Sequence, residues 1–119
     1  MSYDVVTEVL PQYIRLAVKG VYSLEQLFEF IDRIKLEAEN AGRDHVLIDA
    51  RGIDGKMTEA DRFMAGRRVA EVFGPLLKAT VIMLPDQITK LGELTALNRG
   101  AQFFVAGSED EALRWLLGK

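Results

Sequence analysis

The sequence has no cysteine, so a disulfide framework, a thiolate metal site, a cysteine nucleophile and a thiol switch are all excluded. Histidine is nearly as scarce. His45 stands alone, which excludes a multi-histidine metal cluster and leaves acid–base chemistry to carboxylates, lysine and tyrosine. A long apolar run is missing too: no stretch approaches the roughly 18 residues of a membrane span. The start, MSYDVVTEVL, lacks a basic segment followed by a long apolar one. The expectation is a cytoplasmic protein with no stable membrane insertion. Basic excess is also lacking, because 15 Lys and Arg face 18 Asp and Glu for a net charge of −3. No general nucleic-acid binder is expected from that balance. There is no repeat, linker or low-complexity stretch.

What is present fits one ordinary globular domain. The 119 residues, read as a single domain over 1–119, are 49% hydrophobic and 28% charged, enough to build one core. Tyr3 to Val9 and Tyr13 to Lys19, joined across Leu10, Pro11 and Gln12, alternate as a hairpin with one face in the core. Ser23 and Gln26 form a capping-box pair opening a helix with an apolar stripe of Leu24, Leu27, Phe28, Ile31, Ile34 and Ala38. That helix should end near Asn40, with Gly42 as its left-handed terminator. His45 to Asp49 reads as a central parallel strand, followed by the turn-rich ARGIDGKM.

Thr58 with Asp61 signals a second N-cap, and Phe63, Gly66, Ala70 and Phe73 share one side of the helix that follows. Gly66 is expected to let that helix approach the sheet, and Gly74 and Pro75 to stop it. Ala79 to Leu84 gives the next strand. Asp86 to Asn98 predicts a helix carrying Ile88, Leu91, Leu94 and Leu97, closed by Gly100. Gln102 to Ala106 is a last strand, and Ser108 with Glu111 caps a terminal helix burying Ala112, Leu113 and Leu116. The order is ββαβαβαβα, an α/β fold with an N-terminal hairpin, a mixed and mostly parallel sheet and four helices.

This order, with LIDARGIDGKMTEADRF, KATVIMLPDQIT and NRGAQFFVAGSEDEALRWL, resembles the SpoIIAA-like family of small bacterial domains related to STAS domains. The likeness runs over nearly the whole chain. It implies a single mixed sheet of four or five strands with helices packed on it. For function it implies a non-enzymatic regulatory or protein-interaction module like the anti-sigma-factor antagonists. The same superfamily includes lipid-binding CRAL/TRIO domains, so the alternative is a carrier or sensor of a small anionic or lipid ligand. Antagonists of this kind carry a phosphorylated Ser in an Asp-Ser-Ser/Thr-Gly type motif. Here that region reads DGKMTEAD, without the motif, and Thr58 is its hydroxyl. A phosphoswitch at Thr58 is the third reading.

Open α/β sheets bind ligands beyond the carboxyl ends of their parallel strands, which directs attention to the segment after the central strand. It holds Asp49, Arg51, Asp54, Lys56 and Thr58, with Arg62 one turn further on. These cations, with the free N–H groups of a helix start, would suit a phosphate, a carboxylate or an anionic head group. The competing reading pairs Arg51 with Asp49 or Asp54, leaves Lys56 in solvent and uses Thr58 as a plain N-cap. Met57, Ala60 and Met64 point away from the helix's expected core side and form a candidate homodimer seam or the lip of a lipid pocket. Arg67 and Arg68 read as a solvated face, and His45, at the other end of its strand, as a structural residue. No nucleophile with an adjacent base can be assembled, no nucleotide loop follows RGIDG, and no cofactor or metal is implied.

Overall fold

The computed structural model describes residues 3–118. Strands β1 (Asp4–Val9) and β2 (Ile14–Val21) form the expected antiparallel hairpin, whose turn is closed by Leu10 N–H donating to Tyr13 O at 2.9 Å. Three further strands, β3 (His45–Asp54), β4 (Lys78–Ile82) and β5 (Gln102–Ala106), run parallel to β2, and the sheet order is β1-β2-β3-β4-β5. The helices are α1 (Leu24–Ala41), α2 (Glu59–Phe73), α3 (Leu91–Asn98) and α4 (Glu109–Leu117). The order ββαβαβαβα is therefore the one the sequence predicts.

The sheet order decides where the helices go. From β2 to β5 each crossover steps to the next neighbour in the same direction, so crossovers of one hand deliver α1, α2 and α3 to one face. Helix α4 follows the last strand, escapes that constraint and covers the other face. Two apolar layers result. Ile14, Leu16, Val46, Ile48 and Phe103 meet Phe30, Ile31, Ile34, Val69 and Phe73 on the three-helix side. Leu47, Ile82 and Ala106 meet Ala112 and Leu116 on the α4 side. The unbroken apolar run Val46-Leu47-Ile48 is what a strand covered on both faces requires.

Capping follows the sequence signals. Ser23 Oγ accepts from Gln26 N–H at 3.1 Å, and α1 ends at Gly42 with φ of 67°. Ser108 Oγ accepts from Glu111 N–H at 3.2 Å, while the Glu111 carboxylate accepts from Gly107 N–H at 2.9 Å.

Three expectations are corrected. The central strand does not turn after Asp49 but continues to Asp54, because β2 runs on beside it to Val21. The register slips between Ala17 and Lys19, and Gly52 fits there because a Cβ would lie 2.9 Å from Val18 O. Helix α2 is turned about its axis relative to the prediction, burying Arg62, Gly66, Val69 and Phe73 and leaving Phe63 39% exposed. The cause is Gly66, which abuts α3 rather than the sheet. A Cβ there would collide with the carbonyl oxygen of Gly92 and lie 2.8 Å from Thr95 Cβ. Finally, 86–98 is not one helix. Pro85–Gln87 forms a short 3-10 turn, Lys90 adopts a left-handed φ of 56°, and α3 begins after it. Because α3 packs on α2 through its small side, Thr95 and Ala96 are buried and Leu94 and Leu97 are exposed.

Candidate functional site

The alternation of β3 sends the predicted site residues to different places. Ile48 faces the three-helix layer and Leu47 the α4 layer, so Asp49 lies on the α4 side of the sheet. It meets Arg15 of β2 there, with Arg15 Nη2 at 3.1 Å from Asp49 Oδ2. Arg51 reaches back to the same carboxylate, Nε to Oδ1 and Nη2 to Oδ2, both at 2.9 Å. Glu109, the first residue of α4, completes the group by accepting from Arg15 Nε at 3.0 Å and Nη2 at 2.6 Å. Opposite charges balance, and the cluster ties β2, β3 and α4 together. The Arg51 guanidinium holds the Asp49 carboxyl down to about 2, and Arg15 lowers Glu109. Arg51 is thus engaged by Asp49 through Nε and Nη2.

The segment between β3 and α2 lies at the rim. Lys56 and Thr58 are exposed, as is Asp54 at the strand end, whose carbonyl accepts from Tyr22 N–H at 2.7 Å. Thr58 Oγ1 accepts from Asp61 N–H at 3.1 Å and so serves as the N-cap of α2. Asp61 in turn accepts from Tyr22 Oη at 2.9 Å. Burial and then this carboxylate push the Tyr22 hydroxyl well above its ordinary range.

Arg62 points elsewhere again. It lines a cavity of about 130 Å³ between the sheet and the α1–α3 layer, walled by Ile34, Ile48, Val69, Phe103 and Val105. The residue is only 8% exposed. Among the described residues, no hydrogen-bond partner meets its Nε. The Glu59 carboxylate stands 3.7 Å away, beyond hydrogen-bond length. Two more charged groups border the cavity and satisfy each other: Lys90 Nζ donates to Glu93 Oε2 at 3.1 Å and to Val105 O at 3.2 Å, and Glu93 Oε2 accepts from Val105 N–H at 2.9 Å.

The six predicted site residues therefore do not form one pocket. Asp49 and Arg51 are in the α4-side cluster, Asp54, Lys56 and Thr58 are at the rim, and Arg62 is inside. The predicted seam also divides, because Met57 lines the cavity while Ala60 and Met64 are exposed on the outer face of α2. Phe63 joins them outside, with the Arg99 guanidinium 5.4 Å and that of Arg67 5.9 Å from its ring centre. Sequence reasoning missed Arg15 and Glu109, which lie 94 positions apart and are joined only by the sheet. It missed Lys90 and Glu93 because it placed both inside one continuous helix.

No protein-family model matches the sequence, and no curated protein matches it significantly. Solved structures do match in shape. An anti-sigma factor antagonist from Mycobacterium paratuberculosis aligns over 98% of this chain and 95% of its own with a TM-score of 0.62 and 14% identity. An uncharacterised protein of the DUF3478 family from Shewanella loihica PV-4, described as having a SpoIIAA-like fold, aligns over 97% and 93% with a TM-score of 0.56 and 19% identity. A serine-to-glutamate variant of RsbS from Moorella thermoacetica aligns over 96% and 95% with a TM-score of 0.55 and 16% identity. The chain has the SpoIIAA-like fold.

Among the described residues, no helix is long and apolar enough to cross a membrane, and no group of three or more His, Asp or Glu side chains gathers as a metal site.

Proposed function

We propose that this chain is a non-enzymatic regulatory module that acts by binding a protein partner through the outer face of α2. The observation that carries the reading is Phe63, 39% exposed on α2 between Arg67 and Arg99, with Met64 41% exposed beside it. An aromatic anchor rimmed by cations suits a partner that presents an apolar side chain among acidic ones. Two of the structural neighbours, the antagonist and RsbS, support a regulatory reading. The hydroxyls of Thr58 and Ser108 are engaged as helix caps, which favours binding over catalysis. Thr58 phosphorylation would exchange that cap for a charged group next to the same face, a way of switching the contact.

The test places a photo-cross-linking amino acid at position 63 in the cells that make the protein. The expected product is a discrete adduct with one other protein, weakened when Arg67 and Arg99 are both changed to Glu. Adducts only between two copies would replace this reading with a homodimer seam, and no adduct would end it.

A further inference from the structure

The cavity beneath α2 is separate from that outer face and has a chemistry of its own. An arginine side chain remains charged at any pH a protein meets, and burying it without an acceptor is unfavourable. Arg15 and Arg51 each have a carboxylate oxygen within 3.1 Å, and Arg68, whose Nε is likewise buried without a partner, donates through Nη2 to Asp32 at 2.7 Å. Arg62, the most buried of the four, has among the described residues only the Glu59 carboxylate at 3.7 Å, with no side-chain hydrogen bond. It cannot turn outward while α2 keeps its place, since Gly66 against Gly92 fixes which side of the helix faces in. The fold therefore holds a cation against an apolar hollow and leaves its Nε without an acceptor.

We propose that this cavity binds a small apolar monocarboxylate, whose carboxylate is held by Arg62 and whose carbon skeleton fills the space among Ile34, Ile48, Val69, Phe103 and Val105. Size sets one bound. The cavity of about 130 Å³ is somewhat smaller than the roughly 150 Å³ of an engineered apolar cavity that takes up benzene, so the occupant has at most about six carbons. Charge sets the other. Lys90 is committed to Glu93, leaving on the wall the Arg62 guanidinium, which has only the loose, solvent-side Glu59 ion pair at 3.7 Å among the described residues. One guanidinium compensates one negative charge, which selects a carboxylate over a phosphate monoester carrying about −1.5 to −2. The planar guanidinium suits a carboxylate geometrically as well.

Calorimetric titration of the purified chain with butanoate, hexanoate, hexan-1-ol and inorganic phosphate tests the proposal. One of the two acids should bind saturably at one per chain. Hexan-1-ol should bind about ten- to a hundred-fold more weakly than hexanoate, as loss of a charge-assisted hydrogen bond predicts. Arg62→Met should weaken the acid by the same factor, and Val69→Phe, which fills the hollow, should abolish binding while the circular dichroism stays native. Nuclear Overhauser contacts from the bound acid should reach the methyls of Ile34 and Val105. Absence of saturable binding by both acids, equal binding of the acid and the alcohol, phosphate competing as well as hexanoate, an unaffected Arg62→Met, or contacts at other methyls would each overturn the site. The cross-link at position 63 is read without added ligand, so the two proposals fail independently.

Discussion

Arg15 and Arg62, on opposite faces of the sheet, are treated in opposite ways. On the α4 face, Arg15 and Arg51 share Asp49 and Glu109 in a closed group, and the acids sit below their ordinary range because the cations are there. On the three-helix face, Arg62 is more deeply buried and meets no acceptor at its Nε. The first arrangement is structural: its charges are used up in joining strands to a helix. The second leaves a buried Nε without a hydrogen bond and the Glu59 carboxylate 3.7 Å away, the observation on which the proposed monocarboxylate site rests. Burial alone does not separate the two arrangements. The closeness of their acceptors does.

The largest effect that would sharpen this contrast comes from the packing that turns Arg62 inward. Gly66→Val should force α2 away from α3 and lower stability by about 3 kcal/mol, seen as a lower urea midpoint. A midpoint unchanged from wild type would mean that the rotation of α2 has another cause. Next in size is a matched pair of substitutions. Arg15→Met strands Glu109 and should cost about 2 kcal/mol, whereas Arg62→Met removes an unsatisfied buried group and should be neutral or stabilising by up to about 1 kcal/mol. Equal losses from both would break the comparison.

The smallest effect is in acid. Asp49 drops to about 2 on folding and Glu109 is lowered as well, so their contribution is complete above the unfolded carboxylate values and is lost as pH falls through the folded ones. With solvent screening that amounts to about 1 to 2 kcal/mol, lost between about pH 5 and pH 2. Asp49→Asn should flatten this acid limb in urea titrations at pH 7, 4 and 3, and an acid limb as steep as that of the wild type would assign it to other carboxylates.

The architecture was legible in the sequence because its signals are local. Ser23 with Gln26, Ser108 with Glu111, and Gly42 act within one turn of chain, and the run Val46-Leu47-Ile48 declares a doubly covered strand by itself. The site was less legible because it depends on relations between elements. Whether Asp49 or Ile48 faces a given layer is settled by strand pairing. Whether Arg62 or Phe63 faces inward is settled by Gly66 meeting Gly92, a contact that helical periodicity does not encode. The same limit hid Arg15 and Glu109, while Thr58, whose cap lies three residues from its partner, was read correctly as a cap.

Arg62 and Phe63 are neighbours along the chain, yet a helix advances about 100° per residue and so directs one inward and the other outward. Both ride on a single stiff rod seated against α3. Were both proposed sites occupied, a tilt or roll of this rod from below would alter what is offered above, and by reciprocity a contact above would change affinity below by the same factor. Adjacency in sequence would then be the shortest lever between the inside and the outside.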